Sequence, residues 1–179
     1  MRHFALSTIG RDRPGIVAAV ADVLLRHEGN IEDSQMSILR GHFAMTLIVS
    51  APDSVDRHSL GAALEHVGAT LGLDAVALNE VTEVDPKLEP VPSHIVTVYG
   101  VDHPGIVHAV ASQLAEHGVT ITDLTTRLFD GDAGEPLYAM MLEIALADVA
   151  PEVLEGALRS VSEHESVELS FRRLEQDVL

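Results

Sequence analysis

The hydrophobic and polar positions change period along the chain in one order, twice. HFALSTIG at 3–10 is rich in β-branched and apolar residues and predicts a strand ending at Gly10. Ile16, Val17, Val20, Val23 and Leu24 then recur at helical spacing within 14–28. Two β-like runs follow, IEDSQMSIL and HFAMTLIVS, and Arg40 with Gly41 between them predicts a tight hairpin connection. A second helix is predicted over 54–71, with Leu60, Ala63, Leu64, Val67 and Leu71 on one face, and DAVALNEVTEV at 74–84 alternates as a half-buried strand does. Beyond DPKLEPVPS the order repeats. HIVTVYG at 94–100 is a strand, Ile106, Val107, Val110 and Leu114 mark a helix, and VTITDLTTRLF pairs with LYAMMLEIAL across the longer loop at 130–136. A helix over 149–164, with Pro151 near its start and Val153, Leu154, Leu158 and Val161 inside, leads to the strand SVELSFRRL at 166–174.

The repetition extends to residue identity. DRPGIVAAVADVLLRHEGNIED at 12–33 aligns without gaps on DHPGIVHAVASQLAEHGVTITD at 102–123, and twelve of the twenty-two positions are the same. Two copies at this spacing are too few and too long for a stacked array of short repeats, so each is a small domain. An α+β architecture follows: two ferredoxin-like βαββαβ units, each a four-stranded antiparallel sheet with two helices on one face. The expected boundaries are 1–84, a Pro-rich linker at 85–93, and 94–179. Asp12 and Asp102 read as helix caps, Pro14 and Pro104 as first-turn residues, and Gly29 and Gly118 as helix stops.

Composition narrows the function. With 28 acidic and 11 basic residues, the net charge of -17 sets up repulsion against nucleic-acid phosphates and anionic lipid, so direct nucleic-acid binding is not expected. The absence of cysteine removes disulfides, thiolate metal sites and a thiolate nucleophile. No apolar run has signal-peptide or membrane-spanning character, and a cytoplasmic location without membrane attachment is the expectation. With aromatic residues at only 3% and no tryptophan, the core must be built from aliphatic side chains and methionine.

The pattern of a strand, then Asp-x-Pro-Gly-Ile-Val opening a helix, then Asn30 and Ile31, resembles the ACT domain, a small-molecule regulatory module, over both copies. Two such domains without a catalytic partner resemble the glycine cleavage system transcriptional repressor family, whose members are thought to sense an amino acid and act through a partner regulator protein. The resemblance places the ligand at an interface between two domains, contacted by Asp12, Arg13, Pro14, Gly15, Ile16, Asn30 and Ile31 in the first copy. In the second copy it assigns Asp102, His103, Pro104, Gly105, Ile106 and Ile121. Thr120 stands where the first copy has Asn30, which puts the second site in doubt because one hydroxyl replaces a paired donor and acceptor. The resemblance points to a small effector, glycine or serine; no other cofactor is expected, and exposed sheet edges with a shared ligand site point to a homo-oligomer, a homodimer.

The local chemistry agrees with a zwitterionic ligand. A helix start presents unpaired N–H groups to a carboxylate, Gly15 permits close approach, and Asp12 offers an anionic oxygen to an ammonium group. The competing reading is architectural: Asp12 only a cap, Pro14 only a first-turn residue, Gly15 only a packing requirement, and the protein an oligomerisation module that binds no metabolite. Other constellations are weaker. Asp130, Asp132 and Glu135 lack the full calcium-loop spacing, His103 and His108 lack a third metal ligand, and Ser7 and Ser34 lack a nucleophile elbow. Met36, Met45, Met140 and Met141 read as core or interface filler. No metal site and no catalytic residue is predicted.

Overall fold

The computed structural model describes residues 1–82, 90–131 and 135–174. Its contacts divide the chain into two units, Met1–Asp85 and Pro86–Leu179. The first unit runs β1 (Arg2–Arg11), α1 (Ile16–Arg26), β2 (Asn30–Leu39), β3 (His42–Ala51), α2 (Arg57–Leu71) and β4 (Leu73–Val81). The second repeats it as β5 (His94–Val101), α3 (Ile106–Glu116), β6 (Thr120–Asp130), β7 (Pro136–Ala145), α4 (Pro151–Glu165) and β8 (Glu168–Arg173). The sheets are antiparallel throughout, ordered β2-β3-β1-β4 and β6-β7-β5-β8, which is the split βαβ arrangement.

Period-two alternation sets which face is buried. Phe4 and Leu6 of β1 and Phe43, Met45, Leu47 and Val49 of β3 turn inward, where Leu6 and the β3 residues pack with Ile16, Val20, Leu24, Leu60 and Leu64. In the second unit Val96, Val98, Tyr138, Met140, Leu142 and Ile144 meet Ile106, Val110, Leu114, Leu154 and Leu158. Met45 and Met140 are core residues as expected, whereas Met36 and Met141 are substantially exposed. Val17 and Val107, read as part of the apolar helix faces, also stand exposed beside the loops that start α1 and α3.

Several turns differ from the sequence expectation. Helix α1 begins at Ile16 and not at Pro14: Gly15 is its N-cap residue, at φ 96, and no side chain caps it. Helix α3 begins the same way after Gly105, at φ 116, so neither Asp12 nor Asp102 is an N-cap. The reason is geometric, because the positive-φ glycine turns the backbone into the helix three residues after the aspartate. Helix α1 also stops one residue earlier than Gly29 implies, since Glu28 at φ 56 is the left-handed residue, while Gly118 at φ 68 holds that position in the second copy. Elsewhere the turn chemistry is as read. Arg40 and Gly41 both take positive φ across the two-residue β2–β3 hairpin. Pro151 opens α4. Asp56, which the sequence reading passed over, accepts from the Ser59 N–H at 2.9 Å and starts α2 at Arg57 instead of 54. Asp132 of the candidate calcium loop lies outside the described residues, as does most of the predicted linker.

Candidate functional site

The Asp-x-Pro-Gly segments occupy equivalent loops, β1–α1 and β5–α3. Each is tied down by its backbone: the Asp12 N–H donates to Gly41 O at 2.9 Å, and the Asp102 N–H donates to Pro136 O at 2.8 Å. Gly10 and Gly100 let the start of β4 and the residue before β8 approach, since a Cβ there would lie 2.8 Å from Leu73 Cα and 2.9 Å from Val167 Cγ1. Both helices then start without a side-chain cap, and the first N–H to find an intrahelical partner is that of Ala19 on Gly15 O, or of Ala109 on Gly105 O. The preceding first-turn N–H groups are left facing outward with the positive end of the helix dipole. Asp12, Arg13, Pro14 and Gly15 are exposed beside them, while Ile16 is buried as the anchor of the turn.

The second copy adds a cleft of about 460 Å³, lined by Asp102, His103, Pro104, Gly105 and Ile106 together with Val107, His108, Ala111 and Tyr138. All the loop residues assigned there from sequence thus border one cavity. Tyr138 was missed. It holds the position of Phe43 in the first copy, is only 9% exposed, and brings a phenol to the cleft. Burial raises its pKa above the ordinary tyrosine value, the Thr126 hydroxyl opposes this, and the Asp102 charge adds to the rise. Pairwise comparison of the two copies, position by position, was the signal that could have found it.

The positions at the start of the second strand do not join the loop of their own unit. Asn30 pairs with Ser50, which pairs with His3, whereas the β1–α1 loop leaves the opposite end of the sheet after Arg11. Eight strand residues separate the two ends, roughly 26 Å at about 3.3 Å per residue. Ile31 lies beside Asn30, and Thr120 and Ile121 take the same place in the second unit. A bulge follows at both, between Ile31 and Asp33 and between Ile121 and Asp123.

His103 has a defined role in the second loop. Its Nε2 lies 2.9 Å from Glu165 O at the C-terminus of α4, and its Nδ1 lies 3.3 Å from Pro104 O and 3.8 Å from the Glu165 carboxylate. The Glu165 carbonyl, then that of Pro104, raise its pKa above the usual histidine value, with the Glu165 and Asp102 carboxylates adding to them against desolvation. The ring thus caps the C-terminus of α4. Among the described residues no group of three metal-ligating side chains comes together. None of the described helices is long and apolar enough to cross a membrane.

The sequence profile of the ACT domain matches residues 2–77 and 94–172, one match on each βαββαβ unit. The chain belongs to the ACT-domain family. A UPF0237 protein of Methanopyrus kandleri is 38% identical over 81 residues, 45% of this chain and 90% of the relative. Among solved structures, an unknown protein from Galdieria sulphuraria superposes with a TM-score of 0.79 at 29% identity, over 97% of this chain and 99% of the other. A structure described as a "putative glycine cleavage system transcriptional repressor" gives 0.74 at 17% identity, over 98% of each chain, a likeness of fold. Both likenesses extend along almost the whole length of the chains compared.

Proposed function

We propose that this tandem ACT protein is a cytoplasmic, non-catalytic regulator that binds a small amino acid, glycine or serine, and transmits it through a partner protein in the control of amino-acid metabolism. The observation that carries the reading is the pair of uncapped helix starts behind Asp12 and Asp102, with the cleft at the second. The free N–H groups suit the ligand carboxylate and the aspartate suits its ammonium. Because neither aspartate caps its helix, the architectural reading loses its explanation for that residue. The cleft also reverses the ranking of the two copies, since Tyr138 offers a polar group that Phe43 lacks. Asn30 lies too far from its own unit's loop to share a ligand with it, so completion of the first site calls for another ACT domain, which favours a homo-oligomer.

Isothermal titration of the purified chain with a panel of amino acids tests the reading. Saturable binding of glycine or serine is expected. Binding restricted to lysine, arginine or glutamate would overturn the choice of effector, and no binding by any amino acid would leave the oligomerisation module standing.

A further inference from the structure

We propose that His103 is a proton-operated latch that holds the β5–α3 loop of the second copy to the C-terminus of α4. Both ring nitrogens face carbonyl oxygens, Nε2 that of Glu165 at 2.9 Å and Nδ1 that of Pro104 at 3.3 Å. A carbonyl only accepts, so both contacts are hydrogen bonds only when both nitrogens carry protons. The charged ring also sits at the negative end of α4, where the last carbonyls lack intrahelical partners. The charged groups facing it are Asp102 from its own loop and the Glu165 carboxylate from α4. His108 of α3 and His164 of α4 line the adjoining groove with Glu165. The pKa of His103 is raised, in keeping with a stabilised imidazolium.

Deprotonation does two things. It removes one of the two ring donors, so that the Nε2 bond to Glu165 O on α4 and the Nδ1 bond to Pro104 O within the loop are no longer held together, and it leaves the Glu165 carboxylate without its cation. That carboxylate lies close to the start of α3, since a Cβ built on Gly105 would stand 3.8 Å from Glu165 Oε2. Its unmatched charge would then oppose a second carboxylate at the same N–H groups. The first copy has no such control. Arg13, whose guanidinium lies against Gly72 at the end of α2, stands in place of the histidine, and Leu71 stands in place of Glu165.

The latch concerns the loop itself, whereas its effect on a ligand rests on the amino-acid reading above. The full chain is titrated by NMR between about pH 5.5 and 8.5, following the His103 ring and the Gly105 and Ile106 amides, in the wild type, His103→Arg, His108→Gln and His164→Gln. The expected result is a His103 inflection on the alkaline side of the ordinary histidine value, with both amides moving in step. That movement is lost in His103→Arg and kept in the other two variants. Amides that stay still while His103 titrates, or that move equally in His103→Arg, overturn the proposal. In a parallel titration with glycine and serine at the two ends of this range, second-copy affinity should fall with rising pH in the wild type and not in His103→Arg. If no amino acid binds at either pH, the amino-acid reading fails by itself, and the amide shifts alone decide the latch.

Discussion

Helices α1 and α3 end in the same hydrogen-bonded turn with different residues at its left-handed position, which makes the duplication its own control. The Gly29 N–H reaches Leu24 O at 2.8 Å and the Glu28 N–H reaches Leu25 O at 3.0 Å, and Val119 and Gly118 make the matching bonds to Leu114 O and Ala115 O. Glu28 sits at φ 56 where the second copy has Gly118 at φ 68. A side chain in this conformation costs about 1–2 kcal/mol, of which glycine's greater freedom in the unfolded chain returns about 0.5–1. Glu28 also places an acid at the negative end of the helix dipole, which costs about 0.3–1 kcal/mol more. Glu28→Gly should therefore stabilise the first unit by about 1–2 kcal/mol, or about 4–8 °C per kcal/mol for a unit of this size. Glu28→Ala removes the charge and keeps the strain, so it should gain only the dipole contribution. Gly118→Glu should cost the second unit what Glu28→Gly gains in the first; a Cβ there meets nothing within 4 Å, so a collision is not the cause. Urea denaturation with probes in each unit measures all three. The reasoning fails if Glu28→Gly is neutral, or if it matches Glu28→Ala.

Asp12→Asn should leave the melting temperature unchanged, because no capping bond is at stake, and weaken amino-acid binding at the first loop. A charged hydrogen bond worth about 1.5–3 kcal/mol implies a loss of about tenfold or more by titration calorimetry. Tyr138→Phe converts the second cleft to the residue of the first copy and should cut affinity there by several-fold, about 1 kcal/mol, with no change at the other site. His94 is stacked on Phe171 with ring centroids 4.9 Å apart, and burial, then the Arg173 charge, lowers its pKa from 6.5. Its folded value lies below the unfolded one, so its contribution to stability is present above pH 6.5 and is lost as pH falls through the folded value. Replacement of His94 by Phe should remove that acid-side loss in pH-dependent denaturation of the second unit.

The fold was legible because each element carries its own signal and the duplication states each signal twice. Helical spacing, strand alternation and the Arg40–Gly41 turn all agree with the antiparallel βαββαβ order of the structure. What escaped depends on backbone conformation and on partners distant in sequence. Asp12 and Pro14 have the composition of a helix start, yet the positive φ of Gly15 moves that start to Ile16. Gly29 marked the end of α1 by composition, but the chain turns at Glu28, and Gly29 instead packs with little room against Leu24 O and Val49. Tyr138 is 33 residues beyond Gly105 in sequence, and only the pairing of β5 with β7 brings β7 alongside the second loop. Glu165 reaches His103 across 62 residues, from a helix whose pattern gave only its apolar face.

The two copies are thus most alike where the fold needs them and differ where the loop meets its surroundings. Gly and Ile recur unchanged because the β1–α1 and β5–α3 turns require the same positive-φ residue and the same buried anchor, Ile16 or Ile106. Around that shared turn, Arg13 becomes His103, Leu71 becomes Glu165 and Phe43 becomes Tyr138, and at the opposite end of the sheet Asn30 becomes Thr120. These exchanges alter the polar groups carried on a shared backbone. They are accounted for if the copies present one backbone turn in two electrostatic settings, the first beside the Arg13 guanidinium and the second beside the His103 imidazole.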